Sequence, residues 1–478
     1  MNLQELSRLT IAELLAAYRA GVTDPVEVAD LTFAQIEAVN GRINALYDLR
    51  RDAAMAEAEA SARRWKAGRP EGALDGAPVT LKDSVHAVGM TWHHGSAAHG
   101  AGVKGAKDAP PTEKLKAARA IIIGKCTMPD YGLSASGVSS FHGIVRNPFG
   151  LAWNTGGSSA GAGASLAAGI GMMSVGSDIA GSVRLPASHC GLAALKPTQG
   201  MIPHTPGSDV RSAGPMARYA ADLEPLLRVL GGVHPDDRYS VPVTEPAAET
   251  AAPGAGLTVA VYDAFGFGPA VEPAVLEALA RARDAIAGLV ERVVAPDRRI
   301  GWDAYLPLDE ALQWRGWREY AAAVADRRDE TPRQLVDWFS PARDWTAERI
   351  AGIDAGIARA VAEAGALFEG ADVLLTPVMP IVNFPAEDRG IDPAMPLRHC
   401  TFTALFNQSG HPAVSICGGF DDRGLPVGVQ LVGRRFDDVR LVRLAAALEA
   451  ALWPGGRAAA GWPLAPRGQS EGKGGERR

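Results

Sequence analysis

Gly156-Gly157-Ser158-Ser159-Ala160-Gly161 and, after a run of small residues, Gly176-Ser177-Asp178-Ile179-Ala180-Gly181-Ser182-Val183-Arg184-Leu185-Pro186 form the stretch whose reading decides the fold. Two serine-bearing glycine turns are joined by an Ala/Gly-rich segment, Ala160 to Ile170, whose composition predicts a tightly packed helix. Glycine at this density means backbone in conformations other residues avoid, or amides that must approach another group closely. Flexible linkers are also rich in Gly and Ser. Here, however, apolar runs (Leu166-Ala167-Ala168 and Gly171-Met172-Met173-Ser174-Val175) are interleaved, which a linker lacks. Asp178 and Arg184, oppositely charged, flank a serine among small neutral residues, a pattern of structural or catalytic networks rather than of solvated loops. The segment reads as a backbone-lined pocket that presents hydroxyls.

Upstream, Pro78 to Leu81 is a short apolar strand that ends in Lys82-Asp83. A lysine after a strand is ordinarily a solvated charge. The pair of serine turns downstream changes that reading, because a serine nucleophile needs a base and none of the ten histidines is a good candidate. His93, His94 and His99 are the one histidine grouping. Their spacing fits no common metal pattern, and they receive no role.

These motifs resemble the signature of the amidase signature family, serine hydrolases of carboxamides that use Ser-Ser-Lys in place of Ser-His-Asp. Pro78-Val79-Thr80-Leu81-Lys82-Asp83 resembles the family's lysine strand, and the two glycine turns resemble its serine motifs. Cys190-Gly191-Leu192, Leu195-Lys196-Pro197-Thr198, Phe406-Asn407, Gly410-His411-Pro412-Ala413 and Gly424 to Gly433 continue the likeness, which spans roughly residues 5 to 450. The resemblance implies an α/β fold: a single large mixed twisted β-sheet covered by helices on both faces. It implies that Ser182 is the nucleophile, Lys82 the base, and Ser158 the relay between them; the three stand 76 and 24 residues apart. It also implies a cis Gly157–Ser158 peptide and an oxyanion hole built from the amides of Ile179, Ala180, Gly181 and Ser182. Ala180 is a departure, since the family often has Gly-Gly before the nucleophile. Ser159, Asp178 and Arg184 fit roles in orienting the turns. By resemblance, the residues after Pro129 are expected along the acyl side of the substrate, which makes Tyr131 and Gly132 candidate substrate contacts. No metal or organic cofactor is implied, and the substrate is a small-molecule amide. A free lysine, with a pKa of about 10.4, is a poor base while protonated, so burial must hold Lys82 largely neutral.

Two alternatives bear on the same residues. Gly157-Ser158-Ser159-Ala160-Gly161 satisfies Gly-x-Ser-x-Gly at Ser159, the nucleophile elbow of an α/β-hydrolase esterase with a Ser-His-Asp triad. That elbow requires an apolar strand just before it, and Phe149 to Thr155 is no clean strand. The other alternative is the glutaminase (A) subunit of a tRNA-dependent amidotransferase, which resembles this fold but works within an assembly. That protein usually carries Gln where Leu185 stands and Tyr where Gln199 stands, which argues for a free-standing amidase.

Composition is that of a globular protein. Apolar residues make up 47% and charged residues 21% of the 478, enough for a sizeable core. The net charge of −6 is spread along the chain, which speaks against nucleic acid as a partner. No signal-peptide pattern and no long apolar run are present, so neither export nor membrane association is expected. Cys126, Cys190, Cys400 and Cys417 are scattered without a CxxC pair, which fits free thiols in the cytoplasm rather than zinc or disulfides. The sequence leaves a homodimer open.

In chain order, Thr10 and Glu13 predict a capping box, Asp24-Pro25 opens a second helix that Asn40-Gly41 closes, and residues 52–67 read as a third. Residues 1–70 are thus expected to form a helical arm on a catalytic domain over 71–466. Helix then strand is expected across Leu115 to Gly124, strands at Leu257–Tyr262, Val373–Pro377, Ala413–Ile416 and Val427–Val432, and helices at Val275–Val290 and Asp437–Leu452. By resemblance, residues 235–370 form a variable region that tunes substrate choice. Trp302, Tyr305, Trp314, Trp317, Tyr320, Trp338 and Trp345 crowd this region, read as packing of an irregular helical layer, with a pocket wall as the alternative. Residues 467–478 are expected to be disordered.

Overall fold

The computed structural model describes residues 1–245, 252–323 and 325–456; the expected C-terminal tail, 467–478, lies outside them. An eleven-stranded sheet organises the chain. Its strands are β1 (Leu46–Tyr47), β2 (Pro78–Lys82), β3 (Ile121–Cys126), β4 (Met173–Asp178), β5 (Ala193–Lys196), β6 (Ser212–Ala217), β7 (Thr258–Val261), β8 (Arg292–Val294), β9 (Val373–Pro377), β10 (Ala413–Phe420) and β11 (Pro426–Gly433). The spatial order is β1-β3-β2-β4-β6-β5-β10-β11-β9-β7-β8. β4, β2 and β3 run parallel, as do β8, β7 and β9, whereas the β6-β5-β10-β11 centre is antiparallel. This is the mixed, helix-covered sheet expected from the sequence. The central strands are buried along their whole length, which is why they read as continuous apolar runs rather than alternating ones.

The amino-terminal helices follow their capping signals. Thr10 and Glu13 form the expected capping box on Ile11–Ala20, and Asp24 accepts from the amides of Val26 and Glu27 at the start of Pro25–Ile43. The second helix does not stop at Asn40-Gly41. It runs on to Ile43, which is fully buried, and ends on Asn44 in the left-handed region at φ 53°. The Asn40 side chain instead accepts from the amides of Ala45 and Leu46, and so fixes the turn that leads into β1. A further difference lies before the first serine turn. Gly150–Asn154 is a strand, but it pairs with Arg146–Asn147 in a ribbon outside the main sheet and, through a single bridge at Trp153, with Pro385. A nucleophile elbow at Ser159 needs a strand of the central sheet there, and this chain does not supply one.

Ala160–Ala167 is a helix in which every residue is buried, three residues shorter than the expected Ala160–Ile170. Its first turn docks on the end of β3: Gly161 N donates to Thr127 O at 3.0 Å, and Thr127 N to Ala45 O at 2.9 Å. A Cβ at Gly161 would lie 2.6 Å from Thr127 N and press on Ala45 O, so backbone itself occupies the space. Helix propensity favours alanine over glycine by about 1 kcal/mol, but overpacking against immobile backbone costs about 1–3 kcal/mol. Gly161→Ala should therefore lower stability in urea or thermal unfolding, whereas Gly352→Ala should raise it. Gly352 is exposed within the helix Ala347–Ala366, and a Cβ there meets nothing within 4 Å.

Candidate active site

The parallel pairing of β2 and β4, with Leu81 opposite Val175, brings the end of the lysine strand beside the start of the second serine turn. Ligand-binding loops of α/β sheets gather at such carboxyl ends. Lys82 is 1% exposed. Its Nζ donates to Ser158 Oγ at 2.8 Å, to Ser177 Oγ at 3.2 Å and to Ser177 O at 3.3 Å. No carboxylate lies within ion-pair distance among the described residues. Burial disfavours its charged form; Asp178 pulls the other way, and the positive charges of Arg211 and Arg315 add to the burial effect. The result is a lysine brought down to about 7. Lys125 and Lys196 are also buried, yet they donate to backbone carbonyls: Lys125 to Asp83 O and Val85 O, Lys196 to Pro197 O. Lys82 alone of the three meets the hydroxyl of a glycine turn.

The first turn needs its glycines. The Gly157–Ser158 peptide is cis, and a Cβ on Gly157 would fall on the backbone of Ser136 and Ser134. Lys82, Ser158 and Ser182 line one narrow cavity together with Ser177, Tyr131 and Gly132. The two turns are tied by backbone: Ser159 N donates to Ser182 O at 3.1 Å. The Ser159 hydroxyl does not share in this. It is buried over Gly176 without a hydrogen-bond partner among the described residues, so Ser159 ties the turns through its amide and not through its side chain.

Asp178 fixes the second turn. Its Oδ1 accepts from Gly181 N at 2.7 Å and its Oδ2 from Val183 N at 3.2 Å. Arg184 clamps the same carboxylate through Nε at 3.1 Å and Nη2 at 2.9 Å, and neither side chain touches solvent. Burial alone would push the Asp178 carboxyl up; the charge and hydrogen bonds of Arg184 override it and hold the group at about 2. One expectation changes here. The Gly181 amide is committed to Asp178 and is not free to meet an oxyanion. The amides of Ile179, Ala180 and Ser182 meet no acceptor among the described residues and remain available. Gly181 is needed for another reason: it sits at φ +119°, and a Cβ there would strike Thr403.

Several participants were not singled out from sequence. Arg184 also donates to Asn407 Oδ1 at 2.6 Å, Gln430 Oε1 at 3.1 Å and Thr403 O at 3.1 Å. Gln430 carried a readable signal, a polar residue inside the apolar run Val427 to Val432, where a buried amide must find partners. Ser177 had none beyond its place in the glycine turn. Tyr131 and Gly132 both line the cavity, but the Tyr131 hydroxyl is spent on Thr331 Oγ1 at 2.8 Å. Tyr131 therefore presents its ring and backbone rather than a hydroxyl. Gly132, at φ +66°, lets the chain pass Ser158, with a would-be Cβ 3.4 Å from Ser158 Oγ.

Two larger cavities adjoin the serine cavity, of about 290 and about 360 Å³. The first is walled by Trp92, His86, His94 and His99, so two members of the histidine cluster find their place as an aromatic lining, while His93 stacks on Phe141 instead. Trp92 stacks on His94 at 5.2 Å, and burial pushes His94 down to about 4. Among the described residues no group of three or more His, Cys, Asp or Glu is arranged to hold a metal. The second cavity runs along the helix Leu306–Ala322 past Leu308 and Leu312. The tryptophan-rich region contributes mainly packing: Trp338 and Tyr305 are buried around Asp309, which accepts from both.

A family model described as Amidase matches residues 27–301 and 345–442. The A component of the glutamyl-tRNA(Gln) amidotransferase of Chloroflexus aurantiacus is 32% identical over 472 residues, 92% of this chain and 96% of that protein. An acylamidase of Rhodococcus erythropolis is 31% identical over 471 residues, 94% of this chain and 97% of that protein. Among solved structures, a bacterial aryl acylamidase of the amidase signature enzymes superposes with a TM-score of 0.84 at 24% identity, over 93% of this chain and 96% of the other, a likeness of fold. Among the described residues no helix is long and apolar enough to cross a membrane. Fold, ordered motifs and relatives agree, and the chain belongs to the amidase signature family, hydrolases that act on amides.

Proposed function

We propose that this protein is a free-standing amidase that hydrolyses a carboxamide to the acid and ammonia or an amine through an acyl-enzyme on Ser182. The observation that carries this reading is Lys82: a buried lysine with no carboxylate partner, in hydrogen-bond contact with Ser158 beside Ser182. In the proposed sequence, neutral Lys82 takes the proton of Ser158 as Ser158 takes that of Ser182. The Ser182 oxygen then forms a bond to the amide carbon. The amides of Ile179, Ala180 and Ser182 receive the developing negative charge. The C–N bond breaks as the relayed proton reaches the leaving nitrogen. Water, deprotonated over the same relay, cleaves the ester and restores Ser182. The reaction as proposed needs no metal, and the cytoplasm is its proposed compartment.

A second reading is favoured by one observation, the similarity to the A components of amidotransferases. In it the amide is glutamine and ammonia passes to a partner. Leu185, buried in an apolar cluster with Tyr131 and Ala180, and Gln199, bonded to the 208–212 loop, occupy the positions where those proteins usually have Gln and Tyr. Ammonia release from a panel of aliphatic, aryl and amino-acid amides distinguishes the two. Turnover by the isolated chain supports the first reading; turnover of glutamine alone, and only with added partner proteins, replaces it with the second.

Ser182→Ala should lower kcat by roughly 10⁴-fold or more, and Lys82→Ala by about 10²–10⁴-fold. The sign of the pH dependence follows from Lys82. Below about 7 the amine is protonated and cannot accept, so kcat/KM should fall as pH drops through that value. Lys82→Arg, charged at every working pH, should abolish this limb together with activity.

Arg184→Met should remove the clamp on Asp178 and leave a buried carboxylate without its counter-charge. Breaking such a pair costs about 3–5 kcal/mol. Denaturant titration should show that loss, and the joint variant Asp178→Asn/Arg184→Met should recover part of it.

A further inference from the structure

Between the serine cavity and its two larger neighbours stands Arg211, which lines all three. Its backbone is held on every side. Its amide donates to Ser208 Oγ at 3.0 Å, its carbonyl accepts from Gln199 Nε2 at 2.9 Å, and Ser212 Oγ donates to Gln199 Oε1 at 2.8 Å. The guanidinium is provided for much less. Nη2 donates to Pro206 O, while Nε is shielded from solvent and meets no acceptor. No carboxylate reaches Arg211 within ion-pair distance among the described residues.

Its neighbours add to the imbalance. Arg315 lines the same three cavities, donates through Nε to Glu319 Oε1 at 2.7 Å and through Nη2 to Tyr131 O at 3.1 Å. Glu319 thus serves Arg315 and lies 3.5 Å from His94. Arg318 adds a third cation to the larger cavity. Among the described residues that line this cavity three guanidinium groups face one carboxylate, with Asp237 acting on Arg211 from outside the lining, and the walls between them (Ile179, Val210, Leu308 and Leu312) are apolar. A guanidinium whose Nε is shielded and unmet, pre-set by a rigid loop beside an apolar cavity, is costly unless an anion completes it.

We infer that Arg211 is the anchor of an anion subsite, and that the substrates of this enzyme are amides carrying a carboxylate. The inference rests on the amidase reading and deepens it by naming the substrate class. The carboxylate would bridge Arg211 Nε and the free face of its guanidinium, with Arg315 adding charge, while the amide carbon extends to Ser182. Catalysis itself assigns Arg211 no proton or bond; it is a specificity-determining residue.

The test is a ladder of ω-amido acids, succinamate, glutaramate and adipamate, each beside the neutral alkyl amide of the same length. The wild-type enzyme should prefer at least one anionic member over its neutral counterpart by about tenfold or more in kcat/KM. Arg211→Gln should erase that preference through KM, by about 10–100-fold, the effect of one charge-assisted hydrogen bond pair. Arg211→Lys should retain part of it. Since Arg211 also pushes Lys82 down, the comparison is made at a pH above the limb of every variant. Calorimetric binding of the same amides to Ser182→Ala, in which no turnover is needed, separates this inference from the amidase reading. Tighter binding of the anionic amides there supports the subsite even if no amide on the ladder is hydrolysed. Equal handling of anionic and neutral amides by the wild type, or an equal loss for both in Arg211→Gln, overturns it and leaves Arg211 a prop of its loop.

Discussion

The buried Asp178–Arg184 pair is the constraint on which the rest of the site depends. Both side chains are fully removed from water, which costs several kcal/mol per ion before any partner is counted. The cost is offset because each nitrogen of the guanidinium and both oxygens of the carboxylate find partners. Arg184 makes five hydrogen bonds, to Asp178, Asn407, Gln430 and Thr403, and Asp178 in addition holds the amides of Gly181 and Val183. Apolar replacements would pack here at lower desolvation cost, but they would not hold two backbone amides. What the charged pair supplies is a defined path for residues 178–184. That path leaves the amides of Ile179, Ala180 and Ser182 without partners beside Lys82 and Ser158.

The same pair joins distant parts of the chain. Arg184 and Gln430 are 246 residues apart in sequence, and Asn407 donates to Asp178 O at 2.9 Å across 229. The strand pair β10–β11 and the helix Thr401–Gln408 thereby brace the serine turn from the carboxyl-terminal half. This explains why motifs so far apart in sequence were readable as one signature. They are the two sides of one hydrogen-bonded network, and neither is satisfied without the other.

Much of the fold was legible because it is written locally. The capping box at Thr10, proline at the start of Pro25–Ile43, and the apolar runs of β3, β9 and β11 each carry their own signal. The three candidate groups Lys82, Ser158 and Ser182 were legible through motif order, and the structure brings them to one cavity. What sequence did not disclose was allocation. Whether the Gly181 amide points to Asp178 or to the cavity, whether Ser159 acts through its hydroxyl or its amide, and whether Tyr131 offers its hydroxyl all depend on neighbours far along the chain. The extension of the second helix past Gly41 has the same origin: burial of Ile43 outweighs a local stop signal. Arg211 was invisible for a related reason. In sequence it is one more charge in a polar loop, and what sets it apart is an enclosed Nε on a side chain that lines three adjoining cavities.

Burial alone does not make a lysine a base. Lys125 is held at about 8 and Lys196 at about 7 by burial, close to Lys82, yet both end on backbone carbonyls, which have no proton to give. Lys82 differs in what it touches: two serine hydroxyls, one of them in the crowded turn where glycine is mandatory. It differs also in the charges around it. Asp178 would favour the protonated amine, but Arg184 neutralises that carboxylate locally, while Arg211 and Arg315 act from the cavity side against a second positive charge. The cations of the cavity thus do two things by one Coulombic effect. They make a place for a negative charge, and they disfavour a positive charge on the amine that accepts a proton in the proposed mechanism.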